Sequence, residues 1–326
     1  MDITHSRPVV HSPVRTDEPL GFLGLGQMGL PMARTLLHHG YKLRIFDPNS
    51  TRIALLSQEA NATPVTDPSL IAFSSKIVLS MTPDDTALRQ IVSELSPLLS
   101  EKSIHISLST VSSSCTQWAA EQYRQVGRGA TYLSATVLGR PPLAAQGTLT
   151  ILLCGPAEAK ERVLPMLQQL GTVFDIGERV DAASLFKLAI NSVIVSALEA
   201  MGYATAFLQA AQLDPLPALQ ILAHTPLFQG VVYQEYGEMI GSDRYEPALF
   251  PVPLGLKDVE LILSQAEQSG FSMPLVELAR THLLEAQRAG WNQLDWSVIG
   301  RVIASRLPTG PLPGLNERHR AHGELA

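Results

Sequence analysis

Two patterns of apolar and polar positions follow one another along the chain. Up to about residue 176, short apolar runs alternate with segments whose apolar residues recur every three or four positions. The runs are typical of buried strands, and the segments are typical of amphipathic helices. Strands that alternate with helices predict a mostly parallel sheet with helices on both faces. The predicted strands are 20–24, 42–46, 77–80, 104–108, 131–135 and 149–154, and the predicted helices are 28–39, 50–59, 84–95, 112–125 and 157–169.

The pattern changes at Asp181. Residues 181–212 contain no proline, and only Lys187 and Glu199 carry charge between positions 182 and 211. They predict one helix of about thirty residues, about 45 Å long at 1.5 Å per residue. A helix that is apolar around most of its circumference is expected to be buried on several sides. Only helical patterns follow it, at 215–223, 231–240, 257–270, 274–289 and 294–303.

The first predicted strand ends in a glycine-rich turn, and a helix follows at once. Gly24 permits a tight turn, Gly26 lets backbone N–H groups approach a pyrophosphate, and Gly29 lets helix and strand pack closely. The helix N-terminus supplies N–H groups and a partial positive charge for the phosphates. A second strand and a terminal acid follow in the expected order, which favours a dinucleotide site over a purely structural turn. The predicted contacts are Gly24, Leu25, Gly26, Gln27, Met28 and Gly29.

Asp47, at the end of the second predicted strand, bears on which dinucleotide is bound. An acid at this point can accept hydrogen bonds from the ribose hydroxyls of NAD and repels the extra phosphate of NADP. No arginine directly follows Asp47, so the sequence favours NAD, while Arg44 and Arg52 are close enough to keep NADP possible. A second interpretation, compatible with the first, is that Asp47 caps a helix that starts near Pro48.

Together these features predict an α/β Rossmann-type dinucleotide-binding domain followed by an all-α domain built on a long central helix. We assign residues 19–180 to the first domain and residues 181–306 to the second. Residues 1–18 and 307–326 are predicted to be a disordered leader and tail. So much apolar helix in a modest second domain predicts a homodimer or a higher homo-oligomer.

Composition and charge exclude several classes of protein. The chain has 326 residues, of which 45 % are hydrophobic, and a net charge of −6 without blocks of like charge, which argues against nucleic acid or anionic membranes as partners. Cys115 and Cys154 are expected to be free thiols, and the nine histidines show no metal-ligand spacing. No uncharged apolar run of eighteen residues and no apolar signal region occur, so we predict no membrane span and a cytoplasmic protein.

Lys187 is the candidate catalytic residue. It lies in the most apolar part of the long predicted helix, although burying a lysine is costly because its charge loses water. Burial also moves a lysine pKa toward neutrality, which suits a group that exchanges a proton. Asn191 follows four positions later on the same helix face, so the pair could hold and protonate a carbonyl oxygen while a hydride arrives. The alternative is a lysine whose side chain extends along the helix to solvent.

Several motifs then follow in one order along almost the whole chain. They are the glycine-rich run 21–33, Met81-Thr82-Pro83-Asp84, Ser109-Thr110-Val111-Ser112, Gly147-Thr148-Leu149-Thr150, the Lys187 and Asn191 pair, and Gly255-Leu256-Lys257-Asp258. In this order and spacing the chain, from about Pro19 to Arg306, resembles the β-hydroxyacid dehydrogenase family. That family includes 3-hydroxyisobutyrate dehydrogenase, tartronate semialdehyde reductase and the glyoxylate/succinic semialdehyde reductases.

The resemblance implies an NAD(P)-dependent oxidoreductase that interconverts a small 3-hydroxy acid and its semialdehyde or keto acid. It implies that Lys187 is the catalytic acid and base and that Asn191 binds the substrate. It also implies that Met81, Thr82, Pro83 and Thr110 line the cofactor cleft and that Lys257 reaches the cofactor and active site. From the residues alone, Lys257 beside Asp258 predicts a solvated ion pair instead.

The chain departs from the family after the fifth predicted strand. Family members usually carry Asp-x-Pro-Val-Ser-Gly-Gly there, whose serine and backbone N–H groups hold a substrate carboxylate. In this chain Leu138 replaces the serine, Gly139 is kept and Arg140 is added. Arginine binds carboxylates through two parallel hydrogen bonds, so Arg140 is a candidate replacement anchor. The equally weighted alternative is that Arg140-Pro141-Pro142 forms a stiff surface loop.

Two other functions stay open at this point. Imine reductases share the architecture but usually carry Asp or Tyr where this chain has Lys187, so the retained lysine favours carbonyl chemistry. A dehydrogenase-like module that binds NAD(P) without turnover has no physical reason to keep a buried charge at Lys187. The sequence therefore predicts a dehydrogenase of a small molecule that uses NAD, with NADP possible and no metal.

Overall fold

The computed structural model describes residues 18–307. The predicted disordered leader and tail lie outside the described residues, except for positions 18 and 307. Contacts divide the chain into two compact units. The first comprises the residues up to Asn191 together with Ser264–Phe271, and the second comprises Ser192–Leu263 together with the residues from Ser272 onward.

The first unit is built on one sheet of eight strands. They are β1 (Leu20–Leu23), β2 (Leu43–Phe46), β3 (Ala62–Pro64), β4 (Ile77–Ser80), β5 (Ile104–Ser107), β6 (Thr131–Leu138), β7 (Leu149–Cys154) and β8 (Gly171–Gly177). The order across the sheet is β3-β2-β1-β4-β5-β6-β7-β8. All neighbouring pairs are parallel except β6 and β7. The mostly parallel sheet predicted from the alternating pattern is confirmed.

Helices cover both faces of this sheet. They are α1 (Gly29–His38), α2 (Ser50–Ala54), α3 (Pro68–Ser74), α4 (Asp85–Leu95), α5 (Ser113–Val126), α6 (Pro141–Gln146) and α7 (Ala157–Leu167). Two separate apolar clusters result, and neighbouring residues of one strand belong to different clusters. In β4, Leu79 packs in the cluster that contains Leu36, whereas Val78 packs in the cluster that contains Leu88. Successive strand side chains point to opposite faces, so both faces are cores.

Four elements of this unit were absent from the sequence prediction: β3, β8, α3 and α6. β3 has three residues and ends in Pro64, and in β8 only Val173 is buried, so neither shows a continuous apolar run. The antiparallel step from β6 to β7 has a simple cause. Only residues 139–148 connect these strands, and a parallel crossover needs a dozen or more residues.

The long predicted helix is α8 (Ala182–Ala210), a single helix of 29 residues. The remaining helices are α9 (Leu216–His224), α10 (Gly237–Gly241), α11 (Val252–Gln268), α12 (Pro274–Arg288) and α13 (Ile299–Ala304). The predicted helix 231–240 is a π-helical turn, Val232–Tyr236, that continues into α10, and the 3-10 turn Trp296–Val298 leads into α13. The helix after 257 starts earlier than predicted, at Val252, because a proline is tolerated in the first turn of a helix.

By length and composition α8 is apolar enough to cross a membrane, and 44 % of its most apolar window is buried within the protein. The polar residues along it identify a core helix instead. Glu199 is buried, and its two carboxylate oxygens each lie 2.9 Å from Nδ1 of the fully buried His282 on α12. A carboxylate that is paired inside the protein agrees with a helix that packs within a soluble fold.

Candidate active site

The glycine-rich turn between β1 and α1 is packed too closely for side chains at two of its three glycines. Gly24 has φ +91°, and a Cβ atom there would lie 2.2 Å from the carbonyl oxygen of Met81. A Cβ atom on Gly29 would lie 1.9 Å from the carbonyl oxygen of Gly24. Around Gly26 the nearest atom to a built Cβ is Nη1 of Arg52, at 3.9 Å. The turn therefore has open space at Gly26, beside the start of α1.

The N-terminus of α1 faces this space without a side-chain cap. Met28 occupies the N-cap position, makes no capping hydrogen bond, and is followed by no acidic residue in the first turn. The first N–H groups of a helix have no partner within it, and they carry its partial positive charge. A turn with room at Gly26, beside a helix start that has neither a side-chain cap nor an acidic residue, fits the pyrophosphate of a dinucleotide.

Asp47 fastens the end of β2 to this turn. It is buried, its Oδ2 accepts a hydrogen bond of 2.7 Å from the N–H of Leu25, and its Oδ1 accepts one of 2.8 Å from the N–H of Asn49. The expectation that Asp47 caps the next helix is wrong. Asn49 is the N-cap of α2, where its side chain accepts from the N–H of Thr51. Nη1 of Arg52 lies 3.5 Å from Oδ2 of Asp47, so a cation borders the same end of the strand.

The loops after β4 and β5 meet at the same edge of the sheet, because parallel strands end on the same side. Met81, Thr82 and Pro83 follow β4, and Thr110 follows β5. Oγ of Ser109 joins the two loops. It accepts a hydrogen bond of 2.7 Å from the N–H of Thr82 and lies 2.9 Å from Oγ1 of the same residue. Four separate segments thus lie at the carboxyl edge of the sheet. They are residues 24–29 after β1, residue 47 after β2, residues 81–83 after β4 and residue 110 after β5.

A second link joins the helices that follow these loops. Asp85 is the first residue of α4, and Ser112 is the N-cap of α5. Oδ1 of Asp85 accepts a hydrogen bond of 2.8 Å from the N–H of Ser112, and its Oδ2 accepts one from the hydroxyl of Ser112. The two loops and the two helix starts consequently form one hydrogen-bonded unit.

One face at the start of α8 is polar and buried. Ser184, Lys187 and Asn191 are spaced three and four residues apart, which places them on the same side of the helix. Asp181, three residues before Ser184, continues the same spacing. Their exposed fractions are 1 % for Asp181 and Ser184, 9 % for Lys187 and 4 % for Asn191. The alternative of a lysine that extends into solvent is not what the structure shows.

Asp181 is held by donors from another helix and from the chain just before it. Its Oδ2 accepts from Oγ of Ser113 at 2.7 Å and from Nε2 of Gln117 at 2.8 Å, and Arg179 donates to both oxygens. Burial opposes the ionisation of Asp181, but the hydrogen bonds from Arg179, Ser113 and Gln117 outweigh it and lower its pKa to about 2. The carboxylate therefore stays ionised at neutral pH.

The segment at which the chain departs from the family pattern lies at the end of β6. Leu138 packs against a small apolar cluster formed by Leu152 and Cys154 of β7 and by Ala182 and Ala183 of α8. Gly139 has φ +141°, a conformation that favours glycine. The expected stiff surface loop is wrong in detail, because the prolines after Arg140 form the first turn of α6 and Arg140 is its partly buried N-cap residue.

Lys257 lies on α11, in the second compact unit. Its Nζ is 3.0 Å from Oδ1 of Asp258, which confirms the pairing expected from their adjacency. The carboxylate is buried, so the pair is not the solvated one that the sequence predicted.

Two family models match the chain. One describes the NAD binding domain of 6-phosphogluconate dehydrogenase and matches residues 19–179, and the other describes the NAD-binding of NADP-dependent 3-hydroxyisobutyrate dehydrogenase and matches residues 182–303. An uncharacterized oxidoreductase of Bacillus subtilis is 35 % identical over 288 residues, which are 87 % of this chain and 99 % of that protein. A 3-sulfolactaldehyde reductase of Escherichia coli is 29 % identical over 284 residues, 86 % of this chain and 94 % of the reductase.

Solved structures show the same fold. A 3-hydroxyisobutyrate dehydrogenase of Mycobacterium tuberculosis, solved with L-serine, gives a TM-score of 0.79 at 20 % identity and covers 88 % of this chain and 99 % of its own. An imine reductase from Pseudomonas sp. gives a TM-score of 0.59 at 22 % identity, over 88 % of this chain and all of its own. The chain belongs to the β-hydroxyacid dehydrogenase family. It is an NAD(P)-dependent oxidoreductase, and the family resemblance read from the motifs is confirmed.

Two kinds of residue in this site escaped the sequence analysis. Ser109 and Ser112 were part of a recognised motif, but their hydrogen bonds to Thr82 and Asp85 connect positions 27 residues apart. From the sequence, Asp181 was predicted only to begin the long helix. Its hydrogen-bond partners lie 64 and 68 residues earlier in the chain, so no local pattern indicates them. The thiols behave as expected: Cys115 and Cys154 are free and buried, and burial raises their pKa values to about 12 and about 11, which leaves both unreactive.

The contrast between Gly26 and Gly29 predicts different defects for the same substitution. Gly26→Ala is expected to fold normally, because its methyl group meets only Nη1 of Arg52, at an ordinary contact distance of 3.9 Å. It is expected to weaken NADH and NADPH binding at least about tenfold by occupying the pyrophosphate space. Gly29→Ala is expected to lower the thermal unfolding temperature, since its methyl group collides with backbone. Fluorescence titration and thermal unfolding of both variants check this. Normal cofactor affinity in Gly26→Ala would remove the glycine-rich turn from the cofactor site.

Proposed function

We propose that this enzyme interconverts a small 3-hydroxy acid and its semialdehyde or keto acid, with Lys187 as general acid and base. The observation that carries the proposal is the buried polar face at the start of α8, where Lys187 and Asn191 lie one turn apart on an otherwise apolar helix. Ionisable groups are rarely buried without a function, because desolvation costs several kcal/mol or more, by order of magnitude.

The roles follow from the chemistry of the side chains. A bound nicotinamide supplies or accepts the hydride. In reduction the Lys187 ammonium donates a proton to the carbonyl oxygen as the carbonyl carbon gains hydride, and in oxidation the Lys187 amine accepts that proton from the hydroxyl. Asn191 can donate an amide N–H to the same oxygen and fix its direction. Residues 24–29, Met81, Thr82, Pro83 and Thr110 hold the cofactor in this proposal.

NAD is the cofactor we favour. Asp47 stands at the end of β2 with both oxygens already bound to backbone N–H groups, next to the glycine-rich turn. Its negative charge disfavours a 2′-phosphate at this point, whereas the nearby guanidinium of Arg52 keeps NADP possible.

Arg140 is our candidate for the group that holds the acidic end of the substrate. Leu138 offers no hydroxyl and packs against an apolar cluster, so an anion there needs another donor. Arg140, two residues on and partly buried, supplies a planar cation suited to a carboxylate or a sulfonate. The relative from Escherichia coli, named a 3-sulfolactaldehyde reductase, acts on an aldehyde with such a strong acid group.

The catalytic assignment is tested with NADH and NADPH consumption against small semialdehydes, glyoxylate and a cyclic imine. Lys187→Met removes the charge at nearly constant side-chain volume. Lys187→Arg keeps the charge, but an arginine cannot exchange a proton at neutral pH. Both variants are expected to lower kcat/KM at least about a hundredfold. In the wild type, kcat/KM for reduction should be lower at alkaline pH than at neutral pH, because the ammonium form of the lysine is the proton donor. Full activity of Lys187→Met, or turnover of the imine alone, contradicts the proposal; cofactor binding without any turnover favours a non-catalytic module.

Substitution of Arg140 separates anchoring from catalysis. For an acidic aldehyde, Arg140→Ala is expected to raise KM at least about tenfold with little change in kcat, because the lost contact forms in the ground state and the transition state alike. Arg140→Lys, which keeps charge without the planar fork, should be intermediate. A neutral aldehyde of the same length serves as the control substrate. Unchanged kinetics for the acidic aldehyde would exclude Arg140 from the substrate site.

We also propose that the enzyme forms a homodimer or higher homo-oligomer through an exposed apolar side of α8 between Val193 and Phe207. Val193, Ala200 and Phe207 recur every seven residues on one side of this helix, and Val193 and Phe207 are 69 % and 74 % exposed. Phe207 also borders an apolar cleft together with Tyr203 and Ile303. Exposed apolar side chains that recur along one side of a helix are typical of a protein–protein interface.

Light scattering at micromolar concentration is expected to give a mass of at least twice the 35.3 kDa of one chain. Phe207→Glu should shift the protein toward the monomer, because a carboxylate would be buried at the contact. Phe73→Glu is the matched control, since Phe73 on α3 is 71 % exposed but lies in the first unit. A wild-type monomer, or equal effects of both substitutions, would contradict the assignment.

A further inference from the structure

The buried polar face at the start of α8 consists of Asp181, Ser184, Lys187 and Asn191. Asp181 and Ser184 are bonded to α5: Asp181 through Ser113 and Gln117, and Ser184 through Oγ1 of Thr116 at 3.1 Å. Lys187 and Asn191, further along the same face, are the residues that the proposed function assigns to the reaction. The two residues of the face without a proposed chemical role therefore attach the helix to α5.

The geometry at Asp181 is not that of an ordinary helix cap. A capping aspartate accepts the N–H groups of its own first turn. Here the Asp181 oxygens accept from side chains, those of Ser113 and Gln117 on α5 and that of Arg179. Only a carboxylate offers two oxygens that accept on every side, and the low pKa of Asp181 keeps it in that form at neutral pH.

The attachment continues beyond α5 to the loops of the sheet edge. The N-cap of α5, Ser112, is bonded to Asp85 at the start of α4. The loops that precede these two helices are joined by Ser109 and Thr82. A continuous series of hydrogen bonds and short helical turns therefore connects the β4 and β5 loops, which we assign to the cofactor, with the helix that carries Lys187.

We propose that Asp181 is a positioning residue that sets the placement of Lys187 relative to the cofactor-binding loops by tying α8 to α5. The inference rests on the proposed function of Lys187. Asp181 acts through the helix, since Lys187 lies six residues further on, about 9 Å at 1.5 Å per residue. Displacement of a reacting group by about 1 Å can lower a rate by about a hundredfold, so loosening this attachment affects kcat more than binding.

The test uses the full-length enzyme and two ways of breaking the attachment. Asp181→Asn removes the charge at constant size. The double variant Ser113→Ala/Gln117→Ala removes the α5 donors and leaves Asp181 paired with Arg179. Asp175→Asn is the control for a general loss of stability, because it breaks the ion pair between Asp175 and the buried Lys160, whose Nζ lies 2.5 Å from Oδ1 of Asp175.

Both attachment variants are expected to lower kcat at least about tenfold while KM for NADH changes less than about twofold. The control is expected to lose thermal stability and keep its kcat within about twofold. Unchanged kcat in the attachment variants despite a lower unfolding temperature would overturn the inference and leave Asp181 as a stabilising residue only.

A second readout does not depend on turnover. Acetic anhydride acetylates lysine side chains, and peptide mass spectrometry measures the rate at Lys187 without cofactor or substrate. This rate is expected to change several-fold in both attachment variants and to stay the same in Asp175→Asn. An unchanged acetylation rate would also overturn the inference. If the wild type reduces no aldehyde and the acetylation rate still changes, the proposed reaction fails and the positioning of Lys187 by Asp181 stands.

Discussion

The parallel pairing of β1 with both β2 and β4 is the constraint on which the site depends. The chain order reverses between β1 and β4, so the loops that follow them diverge to opposite faces and leave a crevice at the carboxyl edge. The turn at Gly24 approaches the backbone of Met81 so closely that no side chain fits between them. This backbone contact, together with the hydrogen bond from Leu25 to Asp47, brings the ends of β1, β2 and β4 into one binding edge.

The second constraint is electrostatic and concerns α8. A mostly apolar helix can bury an acid only if the lost hydration is replaced, and Asp181 has its replacement in Arg179, Ser113 and Gln117. The same bonds anchor the first turn of the helix. The start of α8 is thus held by polar groups that are costly to bury unless each of their hydrogen bonds is made.

The end of β6 shows how one substitution serves packing and recognition differently. Leu138 packs against the apolar cluster of Leu152, Cys154, Ala182 and Ala183, where a serine would bring a hydroxyl instead. The leucine adds apolar packing at this point and offers no hydrogen-bond donor. Arg140 follows at the start of α6, where the two prolines fix the chain direction and hold the arginine in a helix N-cap position.

The sequence by itself determined the alternation of strands and helices, the single long helix from Asp181, the glycine-rich turn and the family, because each of these depends on local periodicity or on contiguous motifs. It also predicted Lys187 and Asn191 as site residues, because their chemistry is unusual for their apolar surroundings, and the structure buries both. Only the tertiary structure decided the short edge strand β3, the antiparallel step to β7, the use of Asp47 as a fastener of the turn, and the bonds of Asp181 and Ser109. The bonds of Asp47, Ser109 and Asp181 join partners that are 22 to 68 residues apart, and such pairings leave no pattern along the chain.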